Sequence, residues 1–378
     1  MHSCDVLIIG GGPAGSSCAW KLHQAGLDVM VVDRTAFPRD KVCAGWITPQ
    51  VVTALNIDCD DYRHGRTFQP IAGFRTGMIG GTREIETTYD RPVSFGIRRC
   101  EFDHYLLQRS GARLRLSTAV SSICRDGVRW IVNGSITTTM LIGAGGHFCP
   151  VARYLNPVLE GAPLVVAHES EFPLEPEEAA CWATAPEIPE LYFSRDLNGY
   201  GWLFRKGQYL NIGIGRLERK SLRNASAEFV AFLRARARVP VVARWQWRGH
   251  AYLISDKPRR RAVDAGVLLT GDAAGLAYPQ SGEGIRPAIE SGLIAASAVI
   301  EAQADYSRER LAAYDERLRD RFRIRDRPQV ISDAMPASLT ARLIPWLLGR
   351  EWFTRHVVLD RWFLHAHDPA LALRDRVS

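Results

Sequence analysis

Asp5-Val6-Leu7-Ile8-Ile9-Gly10-Gly11-Gly12-Pro13-Ala14-Gly15 decides the fold. The residues from Asp5 to Ile9 read as a short parallel strand, because an apolar run without alternation has both faces covered. Gly10 to Gly15 follow with the spacing G-x-G-x-x-G, and Ser16 to Ala25 reads as a helix closed by Gly26. A second strand, Asp28-Val29-Met30-Val31-Val32, ends in Asp33. Strand, glycine turn, helix, strand and acid in this order form a dinucleotide-binding unit. Gly10 makes the tight turn, Gly12 lets the main chain approach a pyrophosphate, and Gly15 lets the helix pack closely on the strand. The helix start at Pro13 and Ala14 offers the N–H groups from Ala14 onward to the phosphates. Asp33, with Arg34 behind it, stands where a carboxylate accepts hydrogen bonds from a ribose. This unit requires a dinucleotide and leaves FAD and NAD both open.

The rest of the composition suits a chain of two or three globular units. It has 378 residues, of which 46% are hydrophobic and 24% charged. The net charge is +7, and only five of the 48 basic residues are Lys (Lys21, Lys41, Lys206, Lys220, Lys257). The apolar runs are short, so no membrane span is expected, and the N-terminus lacks a leader pattern. A cytoplasmic location follows, with peripheral membrane contact as an alternative. Cysteines stand at 4, 18, 43, 59, 100, 124, 149 and 181, with no metal-binding spacing, so free thiols and no metal are expected. No repeat and no nucleic-acid module is present in the pattern.

Val267-Leu268-Leu269-Thr270-Gly271-Asp272 is another apolar strand ending in Gly-Asp, and Gly282-Glu283-Gly284-Ile285 opens a small-residue helix reaching about Ala302. With these segments the chain resembles the FAD-dependent flavoproteins of the p-hydroxybenzoate hydroxylase fold. The resemblance implies FAD as the cofactor, with Gly271 and Asp272 at its ribityl chain and pyrophosphate. It places Gly282, Gly284 and Ile285 at the N1/C2=O edge of the ring, where a helix N-terminus stabilises an anionic reduced flavin. Arg99-Cys100-Glu101-Phe102-Asp103-His104-Tyr105-Leu106 is similar to the pattern R-x-x-F-D-x-x-L, which implies Arg99 near FAD. Val120, in a strand-like run from Ala119 to Ile123, would lie beside the adenine.

Two segments narrow the resemblance to the geranylgeranyl reductase-like branch. Phe37-Pro38-Arg39-Asp40-Lys41-Val42-Cys43-Ala44-Gly45-Trp46 resembles the branch's P-R-x-K-x-C-G-G stretch, which runs beside the flavin; Ala44 and Trp46 depart from it. Tyr200-Gly201-Trp202-Leu203-Phe204 matches Y-x-W-x-F, and period two puts the three aromatics on one strand face. In the branch such aromatics line an apolar substrate cavity, to which Trp46 would also belong. Gly143-Ala144-Gly145-Gly146-His147-Phe148-Cys149 replaces a motif in which Asp and Ser stand at the places of Gly145 and Cys149. An external electron donor, reduced ferredoxin or NAD(P)H, is therefore expected. Cys43 and Cys149 both fall in loops that the resemblance sets near the ring, as catalytic thiols or as small buried hydrophobes.

The expected fold class is α/β (α+β). A Rossmann-type FAD-binding domain takes 1–65, 95–155 and 260–305. A substrate domain on an antiparallel sheet takes 66–94 and 156–259, and 306–378 forms a C-terminal helical region. In the substrate domain Leu210, Ile212 and Ile214 alternate on one strand, Trp245 and Trp247 mark another, and 224–238 reads as a helix with Phe229, Phe232 and Leu233 on one side. Leu311, Tyr314 and Leu318 have helical spacing. The aromatic tail, from Leu343-Ile344-Pro345-Trp346 through Trp352 to Leu364, suits a membrane surface, a cap on the substrate cavity, or core packing. Lys257-Pro258-Arg259-Arg260-Arg261 reads as a solvated basic loop. Three functions fit: an FAD-dependent reductase or dehydrogenase acting on a carbon–carbon double bond of an isoprenoid or polyketide-like molecule, an FAD monooxygenase, and a non-catalytic flavin-binding protein.

Overall fold

The structure is a computed structural model that describes residues 2–157, 164–175, 177, 185–217, 222–239, 246–254, 260–323 and 346–372. Val6–Ile9 is buried at every position and lies inside a six-stranded sheet. The order is Val263–Asp264, Val267–Leu269, Met140–Gly143, Val6–Ile9, Val29–Val32 and Arg113–Arg115. All its pairings are parallel except that of the edge strand Val263–Asp264. Parallel strands need cover, and the helices Pro13–Gln24 and Ile285–Ala302 share their core. Gly292 makes close helix packing possible, since a Cβ there would come within 2.3 Å of the Ala14 carbonyl oxygen.

The turn after Val6–Ile9 depends on bare backbone. Gly10 has φ +112°, and a Cβ on it would stand 2.4 Å from the Ala144 oxygen. A Cβ on Gly15 would stand 1.9 Å from the Gly10 oxygen, so a side chain at either position would force strand and helix apart. Pro13 occupies the first helical turn, where its missing N–H costs nothing.

A seven-stranded sheet runs Arg248–Leu253, Leu164–Pro173, Tyr209–Arg216, Gly199–Lys206, Glu190–Phe193, Gly73–Met78 and Glu84–Thr88. It is mixed rather than antiparallel, because Glu190–Phe193 pairs in parallel with Gly73–Met78, a strand from far earlier in the chain. Phe68–Ile71, expected in this unit, instead joins Trp46–Ile47 and Ser94–Ile97 in a three-stranded sheet. One face of the seven-stranded sheet packs Leu203, Leu210, Ile212 and Ile214 against Phe229, Phe232 and Leu233 of the helix Leu222–Arg234. The other face carries Trp202 and Phe204 against Trp46, Val358, Leu359 and Phe363. Alternation along Gly199–Lys206 thus divides Leu203 from its two aromatic neighbours.

Ile123–Asp126 belongs to a separate four-stranded sheet with His2–Ser3, Arg129–Val132 and Ile136–Thr138. Val120 is therefore not on a strand; it lies in the irregular stretch before one. Leu311, Tyr314 and Leu318 are buried along Arg308–Phe322. In the tail, Val358, Leu359, Phe363 and Leu364 are buried while Trp346 and Trp352 are exposed. Arg260 departs from the solvated-loop expectation. It is buried and donates to the carbonyls of Ala273 at 3.0 Å and His147 at 3.0 Å, tying two loops together. Cys181, Trp245, Leu343, Ile344, Pro345 and the run Lys257, Pro258, Arg259 lie outside the described residues. Among the described residues no helix is long and apolar enough to cross a membrane, and no cluster of His, Cys, Asp or Glu could hold a metal ion.

Candidate active site

A cavity of about 920 Å³ opens at the carboxyl ends of Val6–Ile9, Val29–Val32 and Met140–Gly143, and reaches across to the seven-stranded sheet. Ligands of open α/β sheets bind at this end of the strands. Gly10, Gly12, Pro13, Ala14, Asp33, Arg34, Arg39, Cys43, Ala44, Trp46, Arg99, Val120, Tyr200, Trp202, Asp272, Gly282, Gly284 and Ile285 all line it. The fold thus gathers into one space residues that are more than 270 positions apart in sequence.

Four expected site residues do something else. Gly15 lies behind the turn and serves the strand–helix contact. Gly271 has φ +56°, and a Cβ there would meet the side chains of Ala14 and Ala288 at 3.2 Å, so it lets two helices approach a tight turn. Phe204 is 1% exposed and stacks under Trp46 at 4.9 Å, supporting the cavity wall from behind. Cys149 is fully buried in the core beside Gly145, and burial pushes its thiol up. It is a small core residue, so the two cysteines do not form a pair at the ring; Cys43 alone of the two faces the cavity.

Two helix N-termini meet this space. The helices Pro13–Gln24 and Ile285–Ala302 start at Gly12 and Gly284, cap positions that carry no side chain of their own. At the first, the N–H groups from Ala14 onward and the positive dipole end remain available to an anion; at the second, the carboxylate of Glu283, which lines the same cavity and which burial raises to about 7, already accepts the Arg286 N–H at 2.8 Å. Arg34, Arg39, Arg99 and Arg153 add positive charge along the same wall. Asp33 is held in place: it accepts from Gly11 N at 2.8 Å and from Thr35 N at 2.9 Å. Arg99 is fixed by two parallel bonds to Asp103, at 2.7 and 2.8 Å. A long dianionic molecule with a planar ring at one end fits such a space, and FAD is one. The residues present fit the cofactor.

Sequence reasoning missed a polar cluster in the same cavity. Lys41 touches His250 Nε2, which lies 3.7 Å from Asp272 Oδ2. Burial brings the Lys41 ammonium down to about 8, against the opposing pull of Asp272. Asp272 goes the other way: burial alone would raise it, but His250, Lys41 and Arg99 hold its carboxyl below the usual range. His250 comes from the edge strand Arg248–Leu253, and no local pattern links it to Lys41. Tyr252, on the same face of that strand, brings its hydroxyl against Gly282, where a Cβ would be only 2.2 Å away. Tyr200 donates to the Ser281 carbonyl, so two phenols brace the loop before Ile285. Burial raises both phenols, which stay protonated.

Residues 5–86 match the family model described as FAD dependent oxidoreductase. The chain is 29% identical to the menaquinone reductase of Mycobacterium tuberculosis over 326 residues, covering 78% of this chain and 76% of the relative. It is 26% identical to the digeranylgeranylglycerophospholipid reductase of Methanocaldococcus jannaschii over 337 residues, covering 84% and 82%. Among solved structures, a geranylgeranyl bacteriochlorophyll reductase-like protein from Thermoplasma acidophilum superposes with a TM-score of 0.77 at 22% identity, over 93% of this chain and 92% of that one. The glycine turn, the cavity it faces and the family model matched by residues 5–86 together make this chain an FAD-dependent oxidoreductase.

Proposed function

We propose that the chain is a reductase that uses FAD to saturate a carbon–carbon double bond of an isoprenoid chain. The observation that carries this reading is the wall opposite the glycine turn. Trp46, Tyr200 and Trp202 stand there, with Leu164, Val166 and Leu222 farther along, all in one space with the FAD-binding residues. An apolar chain buried against such a surface gains about 25 cal/mol for each Å² removed from water. The two relatives named above are, by their names, a reductase of menaquinone and a reductase of a digeranylgeranyl glycerophospholipid.

Bound FAD supplies hydride transfer. We assign the pyrophosphate to the main chain from Gly10 to Ala14, and the ring to the helix start at Ile285. Cys43, Tyr200 and Tyr252 then border the reacting carbons. We assign Cys43 as the acid that would protonate the carbon not receiving hydride, because it faces the cavity beside two strongly raised phenols, of which Tyr200 is committed to Ser281; Glu283, raised by burial to about 7, and Lys41 are the other proton donors of the cavity. The electron donor is an external carrier. We also assign the tail face bearing Trp346, Arg350, Trp352 and Arg355 to an anionic membrane surface, from which such a substrate is drawn; Trp346 and Trp352 are 54% and 69% exposed.

The test uses protein reconstituted with FAD and reduced without oxygen by dithionite. Geranylgeranyl diphosphate and a menaquinone are added in separate assays, and the products are weighed. The expected result is a gain of H₂ per double bond and reoxidised flavin, with Cys43→Ala keeping flavin but turning over more slowly. Substrate-dependent oxygen uptake with hydroxylated product would replace this reading by monooxygenation. Flavin that no donor reduces would make the protein a binding module.

A further inference from the structure

Behind the cavity wall lies a polar network that no part of the proposed chemistry uses. Glu169 is 6% exposed on Leu164–Pro173, and its Oε2 accepts the Cys43 N–H at 3.2 Å. Asn211, fully buried on Tyr209–Arg216, donates through Nδ2 to the Cys43 carbonyl at 3.1 Å and to Glu169 Oε1 at 2.6 Å. The same Nδ2 reaches Glu171 Oε2 at 3.0 Å. Lys206, 1% exposed, spends its three donors on the Ala44 carbonyl at 2.9 Å, the Ile97 carbonyl at 3.0 Å and Glu171 at 2.8 Å. Both main-chain groups of Cys43 and the next carbonyl are thus gripped by side chains of the seven-stranded sheet.

Asn211 has a second hand. Its Oδ1 accepts from Trp202 Nε1 at 2.7 Å. An indole offers only a donor and the carboxylates only acceptors, so one orientation of the amide satisfies both ends. Trp202 is a cavity residue, and so is Cys43. One buried amide therefore connects the aromatic wall to the thiol.

We propose that Asn211 and Glu169 are positioning residues that clamp the Cys43 peptide and fix the thiol relative to Trp202. The inference rests on the reading of Cys43 as an active-site thiol, but the clamp itself is tested without turnover. Neither residue touches the cavity. The charges around Glu169 are Glu171 on its own strand, Lys206 two strands away across Tyr209–Arg216, and Arg98, which bonds Glu171 at 3.0 Å. Burial, partly opposed by Lys206, pushes the Glu169 carboxyl up to about 7. Protonation removes one of its two accepting oxygens and loosens the clamp.

The experiment is alkylation of the folded, FAD-loaded protein, quantified by mass spectrometry on the peptide carrying Cys43. Glu169→Gln must turn an amide N–H toward either Cys43 N or Asn211 Nδ2, so it breaks one side of the clamp. At about pH 8 it is expected to label about tenfold faster than wild type. The ratio falls toward one by about pH 6, where the wild-type acid is itself protonated. Because the substitution also removes a charge close to the thiol, each rate is divided by the thiolate fraction measured for that protein at that pH; a general loosening of the fold would then give a ratio independent of pH. Asn211→Leu is expected to label faster at every pH. Glu169→Asp, which keeps the charge but withdraws it from Cys43 N, serves where the other variants do not fold, and is also expected to label faster. Wild-type labelling rates in folded variants would overturn the clamp; slow turnover of Cys43→Ala with unchanged labelling of the clamp variants would leave the catalytic reading standing without it.

Discussion

The two walls of the cavity are built by opposite means. The glycine-turn wall is made largely of main chain: a turn, two helix starts, and neighbours that come close because side chains are missing. The opposite wall is made of large side chains, Trp46, Tyr200 and Trp202, braced from behind by Phe204, Asn211, Glu169 and Lys206. The first needs only a short sequence, and at Gly10 and Gly15 it leaves no room for a Cβ. The second needs residues from four distant segments and gives way gradually when one is trimmed. The difference separates a site for a fixed cofactor from a site that can be reshaped for a particular substrate.

Gly10→Val should break the comparison most severely. Its φ of +112° is out of reach for a β-branched residue, and the new Cβ would meet the Ala144 main chain. We expect a loss of more than about 3 kcal/mol of stability together with the loss of flavin binding. Flavin absorbance after reconstitution and thermal melting measure the two effects. A yellow protein with wild-type melting would show that the turn is not the flavin cradle.

Trp46→Ala tests the other wall. Trp46 is 5% exposed, stacked on Phe204 and within 6.1 Å of the Phe74 ring. Removing it should cost about 3–5 kcal/mol by denaturant unfolding while flavin affinity changes little. Equal loss of flavin would mean that the walls are not separable.

The unequal legibility of the walls has the same physical origin. The cofactor wall is local: Gly10 to Gly15, Asp272 and the helix start at Ile285 each announce themselves within a few residues. Tyr200 and Trp202 were legible by period two. Trp46 was placed only through resemblance to a known stretch. His250, Glu169, Asn211 and Lys206 carry no local signal, because a His, a Glu, an Asn or a Lys in a strand reads the same whether it faces water or a buried partner; Lys41 stood in the loop from Phe37 to Trp46, but without its partner. Sequence proximity also misled at Cys149, where a thiol next to site residues points into the core. The parallel pairing of Glu190–Phe193 with Gly73–Met78 was hidden too, since the strands are joined by more than a hundred residues of other structure.

A smaller effect separates the two carboxylates behind the side-chain wall. Glu169 is raised from 4.5 to about 7, whereas Lys206, Asn211 and Arg98 overcome burial to hold Glu171 at about 2. A raised carboxyl binds its proton more tightly in the folded state. Its contribution is fully present below about 4.5 and is lost as pH rises through about 7. Glu171 does the reverse, contributing above about 4.5 and losing that contribution as pH falls through about 2. Between pH 5 and 8 the wild type should therefore lose about 2–3 kcal/mol relative to Glu169→Gln. Denaturant unfolding at several pH values measures the difference; a constant gap would show that Glu169 does not titrate in this window.

The smallest expected effect on stability is the one that says most about how substrate reaches the side-chain wall. The segment Thr354–Phe363 turns Val358, Leu359 and Phe363 inward, with the Phe363 ring 5.1 Å from that of Tyr200. Outward it presents Arg355 and Arg361, beside an exposed Trp352 and an Arg350 guanidinium 4.4 Å from the Trp346 ring. One segment thus roofs the aromatic wall and carries amphipathic residues of the kind that settle at a lipid interface. Trp352→Ala removes a side chain that is 69% exposed, so it should change stability by less than about 0.5 kcal/mol. Its binding to anionic phospholipid vesicles should weaken severalfold, and neutral vesicles should bind both proteins poorly. Undiminished sedimentation of the variant with anionic vesicles would detach the tail from the membrane and leave it as a roof alone.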